Sequence, residues 1–173
     1  MIKNRFVLSI GSNMGDRDSS IRKAVDFLSS LGTVESVSSL YETSPVGMAP
    51  GTDHFFNLVM GICSDFTPNE MLALVKEYEK KKGRDTVNSH MKPRIIDIDI
   101  LFAGNLIMNT TKLTLPHPEL GNRKFVLAPL SEILPDLVHP VSGKTVSELL
   151  NELRSDEVVR RIEFPGGEGR VKI

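Results

Sequence analysis

The apolar positions of this chain change period several times, and each change marks an element. Phe6-Val7-Leu8-Ser9-Ile10 is a short, nearly continuous apolar run and predicts a first strand. Ile21, Ala24, Val25, Leu28 and Leu31 then recur at helical spacing, so an amphipathic helix follows and Gly32 ends it. A second strand is expected over 34–41. A third is expected over 55–63, apolar except for Asn57 and broken by no charge. Thr67-Pro68-Asn69-Glu70 opens a second helix, with Thr67 as N-cap, Pro68 in the first turn and Glu70 completing a capping box. Leu72, Val75 and Glu79 form its inner stripe, and Glu79, at the end of an apolar line, is expected to pair with an arginine. Lys80-Lys81-Lys82-Gly83-Arg84 closes that helix, where cations suit the C-terminal end of the dipole.

The sharpest alternation lies in Pro93-Arg94-Ile95-Ile96-Asp97-Ile98-Asp99-Ile100-Leu101-Phe102. As a strand it places Asp97, Asp99 and Leu101 on one face and Ile96, Ile98, Ile100 and Phe102 on the other. Its two aspartates lie roughly 6.6 Å apart along the chain. Such carboxylates can converge on divalent cations, or they can face water from an amphipathic strand. Ile95, Leu101 and Phe102 favour a strand in the middle of a sheet, where two acids repel unless something positive lies between them. Arg94, by strict alternation, points away from them unless the strand bends.

The order strand, helix, strand, strand, helix, strand is the split βαβ order of a ferredoxin-like α+β sandwich. A C-terminal extension follows, with a small hairpin over 106–115 and short helices over 127–134 and 146–153. A single domain is expected over 1–164, and Pro165-Gly166-Gly167-Glu168-Gly169 marks 165–173 as a flexible tail.

Composition narrows the function classes. The 173 residues suffice for one domain with a real core. A formal net charge of −1 leaves no basic field to hold nucleic acid. The first apolar run is too short for a signal peptide or a membrane span, so no membrane partner is expected. Cys63 is the single cysteine, so there is no internal disulfide, and a buried free thiol fits a reducing, cytoplasmic compartment. A monomer is expected.

The polar residues suggest phosphate chemistry. Asp97 and Asp99 suit Mg²⁺, which is held by one or two carboxylates together with substrate phosphates. Arg84, Arg94, His117 and Arg123 supply cations and donors for phosphate oxygens. Phe55 and Phe125 can stack on a flat ring. Asn57, buried among apolar neighbours, needs partners for its amide, either the backbone or a ligand. Gly11-Ser12-Asn13-Met14-Gly15-Asp16 lacks the lysine and spacing of a P-loop and reads as a turn with a helix cap.

Several segments, in order, resemble the 6-hydroxymethyl-7,8-dihydropterin pyrophosphokinases of folate biosynthesis. They are Gly11-Ser12-Asn13, Tyr41-Glu42-Thr43-Ser44-Pro45-Val46-Gly47, Phe55-Phe56-Asn57, Glu79 with Gly83-Arg84, Pro93-Arg94-Ile95-Ile96-Asp97-Ile98-Asp99, Leu115-Pro116-His117 and Asn122-Arg123-Lys124-Phe125. No one piece decides, but the ordered set spans about residues 5–140. The resemblance implies transfer of a pyrophosphoryl group from ATP to the pterin's hydroxymethyl oxygen, with release of AMP. It implies two Mg²⁺ ions on Asp97 and Asp99, and Arg84 and Arg94 stabilising phosphate charge. Asp97 is also the candidate for the group that takes the hydroxyl proton. Asn57 would read the pterin's amide edge, helped by Thr43, Ser44 and Val46, while Phe125 stacks and Phe55 packs beside it. Lys76, Glu79, Ile100, Lys112, Thr114, His117 and Arg123 would surround ATP. The loop from Arg84 to Pro93 departs from the family: His90, Met91 and Lys92 stand where many relatives have Arg, Trp and Gly, and Thr86 replaces an arginine. That polar loop is expected to act as a lid. Two other classes remain open from the residues alone, a different metal-dependent phosphotransferase or phosphohydrolase and a ferredoxin-like ligand sensor.

Overall fold

The central strands are apolar on both faces, so the sheet they build must be covered on both. In a computed structural model, which describes residues 3–47, 49–83 and 94–163, it is. The elements are β1 (Asn4–Ser12), α1 (Arg17–Ser29), β2 (Thr33–Val37), β3 (Leu40–Thr43), β4 (Phe55–Ser64), α2 (Pro68–Lys81), β5 (Asp97–Ala103), β6 (Met108–Asn109), β7 (Thr114–Leu115), α3 (Lys124–Ile133), α4 (Val146–Glu152) and β8 (Val159–Ile162). The main sheet runs β5-β1-β4-β3-β8, with β2 also on β4, and its pairings are antiparallel. The fourth, first, third and second strands of a split βαβ unit thus lie side by side, the arrangement of a ferredoxin-like α+β sandwich. The β6-β7 hairpin and the two short helices form the expected extension.

One face carries Leu8 and Ile10 of β1, Leu58, Met60 and Ile62 of β4, and Ile98 and Ile100 of β5, packed against α1 and α2. The other carries Val7, Val59, Leu101 and Phe102 under Val126, Leu127 and Leu130 of α3 and Val146 of α4. Thr67 and Glu70 form the capping box of α2. Its buried stripe is Met71, Val75 and Glu79, spaced by four, so Met71 and not Leu72 faces inward.

Other departures have local causes. The expected strand over 34–41 is two strands, because Ser38 breaks the ladder. The Ser38 amide donates to Val59 O at 2.9 Å, and the Val59 amide donates to the Ser38 hydroxyl at 2.9 Å, so a side chain replaces a main-chain acceptor. Helix α1 stops at Ser29, before Leu31 and Gly32, where the Ser29 and Ser30 hydroxyls donate to the Val25 and Phe27 carbonyls. Gly32 serves close approach instead: a Cβ there would lie 2.4 Å from the Cys63 carbonyl oxygen. The aspartate strand is not central but terminal, paired among the described residues with β1 alone. Its outer edge is met by the Glu79 carboxylate, which accepts from the Ile98 amide at 2.8 Å, and by the His117 amide, which donates to Leu101 O at 2.9 Å. Its alternation also slips. Val7 faces Phe102 and Leu8 faces Ile100, so Leu101 is an extra, bulged residue, and Phe102 joins the aspartates' face. Strand β8 has no counterpart in the sequence reading; two arginines in four residues hid a short edge strand. Cys63 is half-buried rather than buried. Among the described residues no helix is long and apolar enough to cross a membrane.

Candidate active site

The face under α3 and α4 turns polar toward one end of the strands. On β1 the same-face positions run Val7, Ser9, Gly11; on β4, Val59 then Asn57; on β5, Phe102, Asp99, Asp97. Register aligns them, Ser9 with Val59 and Asp99, Gly11 with Asn57 and Asp97. Thr43 of β3 lies opposite Phe55. These residues floor a cleft of about 390 Å³ whose rim includes Ser44, Val46, Arg94, Arg123, Phe125 and Glu157.

One half of the cleft is neutral. Asn57 is 3 % exposed, and its amide Nδ2 donates to the Thr43 hydroxyl at 2.7 Å. Its partner is therefore a side chain, and Asn57 is held in one orientation at the floor. Gly11 makes the room: a Cβ there would lie 2.7 Å from Asn57 Oδ1. Phe55 and Phe125, both half-buried, line the same space. Ser44 is tied to the chain's C-terminal part, its amide donating to Val158 O at 2.9 Å.

The other half is charged. Residues 94–96 precede β5 instead of extending it, so alternation does not constrain Arg94, and its guanidinium pairs with Asp97 Oδ2. The Arg94 backbone is fixed by Asn13, whose Oδ1 accepts from the Arg94 amide at 2.7 Å and whose backbone N–H donates to Arg94 O at 3.1 Å. This gives Gly11-Ser12-Asn13 a positional role. Asp99 Oδ2 lies 3.5 Å from Arg123 and 3.9 Å from His117 Nε2. Burial, then the Asp97 charge, raises the Asp99 pKa against the pull of His117, Arg123 and Lys76. Burial lowers the His117 pKa, while Asp99 pulls it up and Arg123 pushes it down. His117 Nδ1 accepts from the Glu119 amide at 3.2 Å, so the neutral tautomer that fits carries its proton on Nε2, toward Asp99.

The remaining candidates lie beyond β5. Lys76 and Lys112 line a second cleft of about 660 Å³ with Leu72 and Thr110. Glu79 is fully buried, bridges Lys76 (2.9 Å) and the Ile98 amide, and has its pKa raised by burial. The Ile100 side chain is inside the core, so it can meet a ligand only through its main chain. Thr114 sits on β7, its hydroxyl donating to Asn109 Oδ1 at 3.3 Å. Arg84 and the 84–93 loop, with Thr86, His90, Met91 and Lys92, lie outside the described residues, as does the 165–173 tail.

Among the described residues no group of three His, Cys, Asp or Glu side chains is placed to hold a metal ion. Two adjacent carboxylates whose charges oppose each other are the donor set that fits Mg²⁺ arriving with phosphates, since that ion keeps waters and phosphate oxygens as its other ligands.

The family model described as 7,8-dihydro-6-hydroxymethylpterin-pyrophosphokinase (HPPK) matches residues 7–135. The chain belongs to this family. The 2-amino-4-hydroxy-6-hydroxymethyldihydropteridine pyrophosphokinase of Aquifex aeolicus is 37 % identical over 145 residues, covering 84 % of this chain and 89 % of that one. The Bacillus subtilis protein of the same name is 40 % identical over 134 residues, covering 76 % and 79 %. The folic acid synthesis protein FOL1 of Dictyostelium discoideum is 34 % identical over 163 residues, but the chain spans only 24 % of its length. In fold, the chain resembles Plasmodium falciparum HPPK-DHPS, at a TM-score of 0.70 and 19 % identity, over 87 % of this chain and 42 % of that one.

Several residues that line the cleft have no role assigned from the sequence alone. Ser9 and Gly11 carry a signal in retrospect, since they replace apolar residues at the parity of Val7. Asn122 stands in a segment that resembles the family, and Glu119 lies two residues beyond His117. Glu157 carries none, because it reaches the cleft from 32 residues beyond Phe125.

Proposed function

We propose that this chain transfers the pyrophosphoryl group of ATP to the hydroxymethyl oxygen of 6-hydroxymethyl-7,8-dihydropterin, in the following division of labour. The observation that carries the reading is a single cleft in which Asn57, Thr43, Phe55 and Phe125 adjoin Asp97, Asp99, Arg94 and Arg123. The neutral half takes the pterin: Asn57 reads its amide edge, Phe125 stacks on the ring, Phe55 packs beside it, and Ser44 and Val46 close the rim. The charged half takes the triphosphate. Two Mg²⁺ ions, held by Asp97 and Asp99, would neutralise phosphate charge there and polarise the attacked phosphorus. Arg94, with Arg84, stabilises charge on the phosphate oxygens, and Arg123 and His117 add donors on the Asp99 side. Lys76, Glu79, Lys112, Thr114 and the Ile100 main chain receive the rest of the nucleotide. The Ile98 amide faces the outer edge of β5, and Ile100, two residues on, presents its amide to the same edge.

In the reaction the hydroxymethyl oxygen bonds to the β-phosphorus, and the bond from that phosphorus to the α–β bridging oxygen breaks. AMP leaves with the bridging oxygen, and the hydroxyl proton passes to an Asp97 carboxylate oxygen. Incubating ATP and the pterin with Mg²⁺ and resolving nucleotides by chromatography tests the reading. AMP is expected only when the pterin is present. ADP as product, or turnover without pterin, would assign the cleft to a different phosphotransferase or a phosphohydrolase.

A further inference from the structure

The segment between α4 and β8 grips both lips of the neutral half-cleft. On one lip the Ser44 amide donates to Val158 O at 2.9 Å and the Val158 amide donates to the Ser44 hydroxyl at 3.1 Å. On the other, Glu157 Oε2 accepts from the Phe125 amide at 3.0 Å, and Lys124 Nζ donates to Glu157 O at 3.3 Å. The Glu157 amide donates to the Ser155 hydroxyl at 3.2 Å, which fixes the strap's own bend. Glu157 itself lines the cleft.

The contact with Phe125 answers a need of helix α3. Its N-cap, Arg123, makes no side-chain cap hydrogen bond, and its carbonyl takes the Val126 amide at 3.1 Å, so the Phe125 amide needs an acceptor from elsewhere. Arg123 instead extends toward Asp99, with its guanidinium 5.8 Å from the Phe125 ring centroid. A carboxylate from a distant strap fills the vacant cap role, with the sign the helix dipole favours. The same turn therefore owes the placement of Phe125 to Glu157.

We propose that Glu157 is a positioning residue for the pterin: by holding the Phe125 amide it sets the ring on which the pterin stacks, while Val158 sets the opposite lip through Ser44. The proposal rests on the pterin reading of the cleft. What the role requires is an acceptor of the Phe125 N–H, not a charge facing the substrate.

The test uses the full chain saturated with Mg²⁺ and a non-hydrolysable ATP analogue, into which 6-hydroxymethylpterin is titrated calorimetrically. Wild type, Glu157→Ala and Glu157→Gln are compared, and each is also titrated with the ATP analogue alone. Glu157→Ala should bind the pterin roughly tenfold more weakly, the scale of one lost hydrogen bond. Glu157→Gln still offers an amide oxygen to the Phe125 N–H and should stay within about threefold of wild type. Affinity for the ATP analogue should be the same in all three. The proposal is overturned if Glu157→Ala binds pterin as wild type does, if it loses both ligands equally or fails to fold, or if Glu157→Gln is as weak as Glu157→Ala. A wild type that binds no pterin overturns the pyrophosphokinase reading itself, and this proposal with it.

Discussion

The two ends of one sheet face have opposite characters. At one end Val7, Val59 and Phe102 are sealed under α3 and α4. At the other Gly11, Asn57, Asp97 and Asp99 line an open cleft. The two ends belong to the same strands and the same side-chain parity, separated by four residues on β1 and by only two on β4, roughly 13 and 6.6 Å of rise. The packed end supplies the burial that holds the strands in register. The open end uses that register to aim groups that would not gather unaided, above all two carboxylates of like charge. Stability and chemistry are therefore expected to separate along the strands, and substitutions at the two ends should affect different measurements.

The largest effect should come at the charged floor. Asp99→Asn should reduce turnover on the order of 10³-fold, the scale on which preorganised charge acts in a transition state. Without metal, the same variant should be at least as stable as wild type, because burial and Asp97 already disfavour its charge. Asp97→Asn should lose as much turnover, but its stability should gain less, since it gives up the ion pair with Arg94. Thermal midpoints in a chelator, set beside turnover at limiting Mg²⁺, check both. Near-normal turnover in either variant would remove the carboxylates from the reaction.

The packed end should show the reverse. Leu130 is fully buried on the inner face of α3, and Leu130→Ala should cost about 3 kcal/mol of stability, typical of a truncated core leucine. At a temperature where the variant remains folded, its kcat and both KM values should match wild type. Denaturant unfolding and steady-state kinetics test this pair of outcomes, and a fall in kcat larger than the unfolded fraction explains would mean the two ends are coupled.

A smaller effect should separate the two halves of the cleft. Gly11→Ala would put a Cβ 2.7 Å from Asn57 Oδ1, so the Asn57 amide must turn away from the floor. The KM for pterin should rise roughly tenfold, as expected when one buried hydrogen bond to substrate is misplaced, with the KM for ATP unchanged. Equal rises in both constants would show that Asn57 does not belong to one substrate alone.

Much of this division was legible in the sequence, and what escaped has physical reasons. The split βαβ order follows from where the apolar period switches, and Thr67-Pro68-Asn69-Glu70 fixed the start of α2 because a capping box is a local device. Asp97, Asp99 and Asn57 stood out as polar breaks in apolar strands. The bulge at Leu101 did not, because it depends on how β5 meets β1, and two consecutive apolar residues fit either face. The edge position of β5 and the existence of β8 also depend on partners far away in sequence. Nothing in the sequence around Glu157 marks it, and only its approach to Phe125 gives it a place in the cleft.

The smallest predicted effect compares two histidines, one at each end of the face. Burial lowers the pKa of both His117 and His139 below the ordinary histidine value. In His117 that shift is opposed by Asp99, so it reflects the site. His139 stands edge-on to Phe102, with centroids 5.9 Å apart, and its Nδ1 accepts from the Ser142 amide at 3.2 Å. It is a turn and packing residue of the sealed end. Because its folded pKa lies below its unfolded value, the unfolded chain binds more protons as pH falls through about 6.5. The stability that neutral His139 contributes is therefore complete above that pH and is lost below it. His139→Asn keeps an acceptor for the turn amides and removes the titration. The difference in thermal midpoint between wild type and His139→Asn should shift in the variant's favour as pH is lowered from about 7.5 to 5. Pterin and ATP affinities at neutral pH should not change. A midpoint difference that stays constant across that range would mean that protonating His139 disturbs neither the turn nor its contact with Phe102.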